Sequence, residues 1–261
     1  MKMQQHRLLP LAASILFAGC VGTNSTSSHS TPRHTASRDN GGEVTVGPNV
    51  GGVVGEGGTA KAGKHGVAVA GLGSTLDTMP RSQAKAEDYG FAITGDKGDA
   101  EAGQYGVAAA GKNGKASGGA GVFATVGDAG TASVGDGGVA RVAGYGGKTF
   151  AGNGVAYCQH NGDAWAAAFG VALVESGTAT SGDNGIASVR GQGIARAGDR
   201  GVAIAWIKGQ ASAGTDGVLI IGYFKHRTVS YKVGRTKPAG PLIPNQVYAL
   251  DENFQFVPVK H

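Results

Sequence analysis

Proline is scarce in this chain, with 8 residues in 261; aromatic residues make up 7% and charged residues 16%. So little proline excludes collagen and Pro-rich linkers. Few aromatics argue against an enzyme built on a bulky Leu/Phe core, and low charge with many valines argues against ordinary disorder. Cysteine occurs twice, at Cys20 and Cys158, too few for a disulfide scaffold. No long apolar run is present: the clearest, Leu8 to Ala18, is too short to cross a bilayer core of ~30 Å as a helix. What the chain has instead is glycine, 49 residues, about 19% against a usual ~7%.

The glycines are periodic. From Gly58 the chain falls into octads written G-x-A-x-(A/V)-G-x-x, as in GDAEAGQY from Gly98, GVAAAGKN from Gly106, GIARAGDR from Gly193 and GQASAGTD from Gly209. No helix has a period of eight, whereas a short strand followed by a tight turn does. At the second octad position polar and apolar residues alternate: Asp99, Val107, Lys115, Phe123, Thr131, Val139, Lys148, Val155. The unit is therefore sixteen residues with two strands and two turns, and about ten such units fit between Gly58 and Gly222. The expected fold is all-β: a β-solenoid with strands ~4.8 Å apart, a rod of roughly 48 Å, closed by a C-terminal β-strand cap. Ser74 to Arg81 breaks the phase and reads as a loop.

Strand alternation assigns the faces. Positions two and four carry Lys61, Lys85, Asp99, Glu101, Lys115, Lys148, Asp163 and Arg196, and burying these unpaired would cost several kcal/mol each. Positions three and five, mostly Ala with some Val, must form the core, and Cys158 falls at an inward position. In every second strand, position two is then both outward and apolar: Phe91, Val107, Phe123, Val139, Val155, Val171, Ile186, Val202 and Val218. That stripe is the candidate interface, although β-branched residues favour strands for their own reasons.

The first twenty residues carry a basic start (Lys2, Arg7), the apolar stretch, and then Phe17-Ala18-Gly19-Cys20. This resembles the lipobox of bacterial lipoproteins. The resemblance implies a signal peptide over residues 1–19, acylation of Cys20, and anchoring to membrane lipid. Val21 follows the cysteine; by the same resemblance the outer membrane is favoured, with no choice between its periplasmic and outer side. Residues 20–57 are rich in Ser, Thr, His, Asn and Gly and read as the lipidated cysteine and a flexible tether, 58–222 as the solenoid, and 223–261 as a β-rich cap.

Within the cap, Thr228 to Val233, Gln246 to Leu250 and Phe254 to Val259 alternate like strands, and Asp251-Glu252-Asn253 makes a turn. The solenoid is balanced in charge, with 13 basic and 13 acidic residues between 58 and 222. The cap has Lys225, Arg227, Lys232, Arg235, Lys237 and Lys260 against Asp251 and Glu252. Such a tip suits anionic surfaces, or keeps rods from stacking end to end.

The sequence contains no H-E-x-x-H, C-x-x-C, G-x-S-x-G or G-x-x-x-x-G-K-(S/T) motif. Gly-Asp-x-Gly recurs at Asp96, Asp128, Asp136, Asp183 and Asp199, but not with the period of calcium-binding nonapeptides, and Asp-Gly turn chemistry accounts for it. No catalytic residue, cofactor, metal or nucleic-acid partner is expected. Gly144-Tyr145-Gly146-Gly147 with Thr149 resembles one fragment of ice-nucleation repeats, and the G-x-x-G-x-A-x-A rhythm is similar to head repeats of trimeric autotransporter adhesins. From Gly90 to Val259 the chain resembles a class of bacterial and phage β-solenoid proteins without known activity, which end in a strand pair like Val247 to Val257. The expected role is structural or adhesive: a membrane-anchored rod that binds a second copy or a surface protein or glycan. An ice- or glycan-binding module and a polysaccharide-active enzyme are the alternatives.

Overall fold

The computed structural model describes residues 35–38, 42–55, 57–71, 82–225 and 228–260. The signal segment, Cys20, the loop from Ser74 to Arg81, and Arg227 lie outside them. Among the described residues there are 26 strands and no helix. Successive strands pass alternately into two 13-stranded sheets. Between Thr59 and Lys225 each sheet receives ten strands, and these are the ten coils of the octad arithmetic.

The solenoid starts earlier than Gly58. Thr35–Arg38, Glu43–Val46 and Gly51–Val54 already pair in register with strands of later coils, so the second half of the expected tether is part of the rod. The octad is disguised there because the small residue has changed places. Gly52 stands in the inward position usually held by Ala, and a side-chain carbon on it would come 2.9 Å from Val44 Cγ1. Valine on one strand and glycine facing it fill the space of two alanines.

The sheets take their characters from their outward residues. One is aliphatic, with strands such as Phe91–Thr94, Val107–Ala110, Phe123–Val126 and Val171–Val174. The other is polar, with Gln83–Ala86, Asp99–Ala102, Lys115–Gly118 and Thr131–Val134. Within the coils all pairing is parallel, and each residue lies beside its equivalent one coil on, as in Phe123 with Val139 and Lys115 with Thr131. Inward positions are sealed: Ala92, Ala108, Ala124, Ala140, Ala156 and Ala172 each show 0% exposure. Cys158 is buried among them, and burial pushes its thiol pKa up. Thr94 and Ser181 also point inward, with hydroxyls that have no hydrogen-bond partner.

The turns show what the glycines do. In Gly63-Lys64-His65-Gly66 the amide of Gly66 donates to Gly63 O at 2.9 Å, and the left-handed residue is His65, with φ of 58°. Tyr89, Tyr105, Asn113, Asn184 and Arg200 adopt the same backbone at equivalent places. A left-handed non-glycine residue costs roughly 1–2 kcal/mol, and here its amide is bonded to the next coil: His65 N to Asp88 O at 3.0 Å, Tyr89 N to Gln104 O at 2.8 Å. The glycine that follows is needed for close approach. A Cβ on Gly66 would lie 2.8 Å from Ala62 Cβ and 2.9 Å from Val50 O of the preceding coil.

The Gly-Asp-x-Gly aspartates clip coil to coil. The Oδ1 atoms of Asp96, Asp128, Asp136, Asp183 and Asp199 accept the amides of Lys112, Tyr145, Asn153, Asp199 and Thr215 at 2.6 to 3.0 Å. Asp88 does the same for Gln104 at 2.7 Å. The residue before each donating amide is glycine, and at Gly111, Gly144, Gly152, Gly198 and Gly214 a Cβ would collide with the carboxylate.

The final coil is capped on both sheets. Val218–Lys225 doubles back as Thr228–Arg235, antiparallel, at the end of the aliphatic sheet. Tyr248–Leu250 and Phe256–Pro258 close the polar sheet. Between them Leu242, Val247 and Tyr248 are buried over the enlarged end of the core at Leu219 and Ile221. Asp251 makes the turn as the sequence implies, its Oδ1 accepting the amides of Asn253 and Gln255 at 2.9 and 2.8 Å.

Asp183→Ala is expected to lower stability by about 1 kcal/mol through loss of one inter-coil hydrogen bond. Gly198→Ala should cost more, because the new methyl also meets backbone of Gly182 and Asp183 at 2.7 Å. Thermal unfolding followed by circular dichroism measures both, and equal losses would contradict the close-approach account.

Candidate functional site

All nine residues of the expected stripe fall on one ladder. Phe91, Val107, Phe123, Val139, Val155, Val171, Ile186, Val202 and Val218 are consecutive register partners on the outer surface of the aliphatic sheet. Phe91 is 47% exposed, and Phe123 and Ile186 39%. The valines are half-buried because in-register neighbours ~4.8 Å apart cover their sides. A second outward ladder runs beside the first through Ile93, Ala109, Thr125, Arg141, Tyr157, Leu173, Ser188, Ile204 and Ile220. Both ladders continue onto the terminal hairpin, where Val218 pairs with Arg235 and Ile220 with Val233. Phe224, Tyr231 and Val233 there are 58%, 47% and 61% exposed.

A polar cluster that sequence reasoning missed interrupts this face midway. Tyr157 donates to Glu175 Oε1 at 3.4 Å, and Glu175 Oε2 lies 2.9 Å from His160 Nδ1. The His160 ring stacks on Tyr145 at 4.8 Å. Burial first, and then the Glu175 charge, pushes the Tyr157 pKa up. The cluster exists because Val139–Tyr145 and Val155–His160 overrun their coils, with a register shift between Val142 and Tyr145. The signal was present: Gly147 follows Gly138 at a spacing of nine positions where eight is the rule.

On the polar sheet, ion pairs link neighbouring coils, Lys61 to Glu43 at 2.7 Å and Lys85 to Glu101 at 2.8 Å. The Lys61 hydrogen bond and charge hold Glu43 below the ordinary carboxylate range. Farther along, Trp165 is 57% exposed in the middle of this face, its ring tilted against Phe150 at 6.1 Å. Lys148, Asp163 and Thr178 form the row beside them. At one corner of the rod His65, Tyr89 and Tyr105 stack at 5.0 and 5.4 Å, with Lys64 Nζ 5.7 Å from the Tyr89 ring centre.

Among the described residues, Lys225, Lys232, Arg235 and Lys237 of the cap do not converge. Lys225 lies at one end of the hairpin and Lys237 beyond the other, both exposed. Lys232 donates to Gln255 Oε1 at 3.1 Å, whereas Arg235, on the opposite side of the strand, lies 3.5 Å from Asp216. Beneath the hairpin root is a cleft of about 380 Å³ lined by Ile207, Lys208, Ile221, Leu250 and the stacked Tyr223 and Phe254 rings. No group of three or more His, Cys, Asp or Glu that could hold a metal occurs among the described residues.

No protein-family model, no curated protein and no solved structure matches this chain.

Proposed function

We propose that the chain is a structural and adhesive envelope protein, anchored at the outer membrane through acylated Cys20, whose rod joins a second copy through its aliphatic face. The observation that carries this reading is the unbroken ladder from Phe91 to Val218 on the outer surface of one sheet. A row of β-branched and aromatic side chains held on a sheet offers contact area with little conformational entropy to lose. The lipid anchor rests on the resemblance of Phe17 to Cys20 to a lipobox. A tether shorter than the sequence implies, with strands from Thr35 onward, would keep the first coil close to the membrane.

Light scattering on the soluble form, residues 21–261, tests the self-association. A dimer or larger assembly is expected for the parent chain, and a monomer with unchanged circular dichroism for Phe123→Lys combined with Val155→Lys. A monomeric parent, or association indifferent to the substitutions, would overturn it. Cys20 acylation has its own test: labelled palmitate is expected on the parent chain expressed in a bacterium that processes lipoproteins, and absent from Cys20→Ser.

A second reading, glycan binding, is favoured by Trp165 on the polar face, with Phe150 beside it and hydroxyl and charged side chains in the next row. Ring stacking of a sugar on an exposed indole with flanking hydrogen-bonding groups needs that composition. Retention on an immobilised polysaccharide that Trp165→Ala abolishes would establish it, and the absence of retention would remove it.

A further inference from the structure

The strand Thr228–Arg235 is the last in the order of the aliphatic sheet. It pairs with Val218–Lys225 on one side and with no strand on the other among the described residues. At eight residues it is twice as long as the usual coil strand of four. The two sheets end differently. The polar sheet stops at Phe256–Pro258, three residues with a proline, a common way of blunting an edge. The aliphatic sheet ends instead in a strand without proline, whose two charges, Lys232 and Arg235, are both basic.

The phase of the hairpin fixes which backbone groups are free. Lys225 pairs with Thr228 across two residues, so this closing pair is hydrogen-bonded, and bonded pairs then recur at Ser230, Lys232 and Gly234. The amides and carbonyls of Val229, Tyr231 and Val233 therefore point away from the hairpin, along the rod axis. The side chains alternate accordingly. Val229, Tyr231 and Val233 are exposed on the aliphatic face, whereas Ser230 and Lys232 lie on the other, where Lys232 donates to the neutral Gln255. Lys225 and Lys237 stand exposed at the two ends. Of the two cap acids, Asp251 already accepts two turn amides.

We propose that Thr228–Arg235 is a docking edge for an extended acidic segment of another polypeptide, which adds to the aliphatic sheet as its next strand. Backbone pairing supplies the affinity in such strand addition, and alternate side chains supply the specificity. The occupant carries apolar residues beside Val229, Tyr231 and Val233, and an acid beside Lys232, on the face away from them. A second copy of this strand would bring the basic ends together, so the charges favour an acidic partner over self-pairing.

The test uses the chain from residue 21 and two labelled octapeptides, one alternating valine with glutamate and the other valine with lysine, followed by fluorescence anisotropy. The Val-Glu peptide is expected to bind and the Val-Lys peptide not to. Val233→Pro removes an outward amide without touching the bonds to Val218–Lys225, and should weaken binding by roughly tenfold or more with unchanged circular dichroism. Lys232→Glu should reverse the preference between the peptides. Residue-resolved hydrogen exchange on the parent chain keeps the proposal testable if a variant unfolds: bound peptide should slow the amides of Val229, Tyr231 and Val233 and leave Ser230 and Lys232 as they were. Failure of the Val-Glu peptide to bind, equal binding of both peptides, protection elsewhere, or association of the chain with itself through this strand would overturn the assignment.

Discussion

Coil stacks on coil through parallel, in-register backbone hydrogen bonds, so that each residue lies directly beside its counterpart about sixteen positions away. This repetition turns single choices into rows. A charge in every coil would become a file of like charges ~4.8 Å apart, which opposes stacking. The polar sheet avoids such files: Asp99 sits between Gln83 and Lys115, and Lys148 beside Asp163. Where like charges do adjoin, as Lys61 and Lys85 do, each turns away to its own partner, Glu43 in one direction and Glu101 in the other. Side chains without charge face no such penalty, which is why the second outward position of the aliphatic sheet can stay apolar from Phe91 to Val218.

The same stacking disciplines the interior. Inward positions hold mostly Ala with some Val, and at two places a larger residue is matched by a smaller neighbour. Gly118 takes the place of an inward alanine where Val122 takes the place of a turn glycine, and a carbon added to Gly118 would meet Val122 Cγ1 at 2.5 Å. Gly52 and Val44 make the same exchange at the first coils. At the cap Leu219 and Ile221 enlarge the core further.

This explains what could be read in the sequence. The fold class, the coil length and the inward and outward faces follow from period and polarity, and the ladders bear them out; the nine residues named from the sequence lie along one of those ladders. The start of the rod did not follow, because Gly and Val had exchanged roles around Gly52, and because Ser- and Thr-rich composition up to Arg38 looks like a tether. The cause of the turn glycines was also hidden: in most turns the left-handed residue is the one before, such as His65 or Tyr89, and the glycine is there to admit a neighbouring carbonyl. The Tyr157–Glu175–His160 cluster escaped because its residues share no motif; a strand overrun of a few residues brings them together.

The two sheets also act as controls for each other. Both are built from the same parallel strands on the same alanine core, and both offer the outward second position to whatever residue the chain supplies. If strand propensity alone chose that residue, the two rows would match. They do not. The polar sheet holds Gln83, Asp99, Lys115, Thr131, Lys148, Asp163 and Thr178 where the aliphatic sheet holds Phe91, Val107, Phe123, Val139, Val155, Val171 and Ile186. Threonine, glutamine and charged residues satisfy the backbone as well as valine does in this fold. Strand propensity therefore does not by itself account for the aliphatic row, and a face it does not explain is the place to look for what the rod touches.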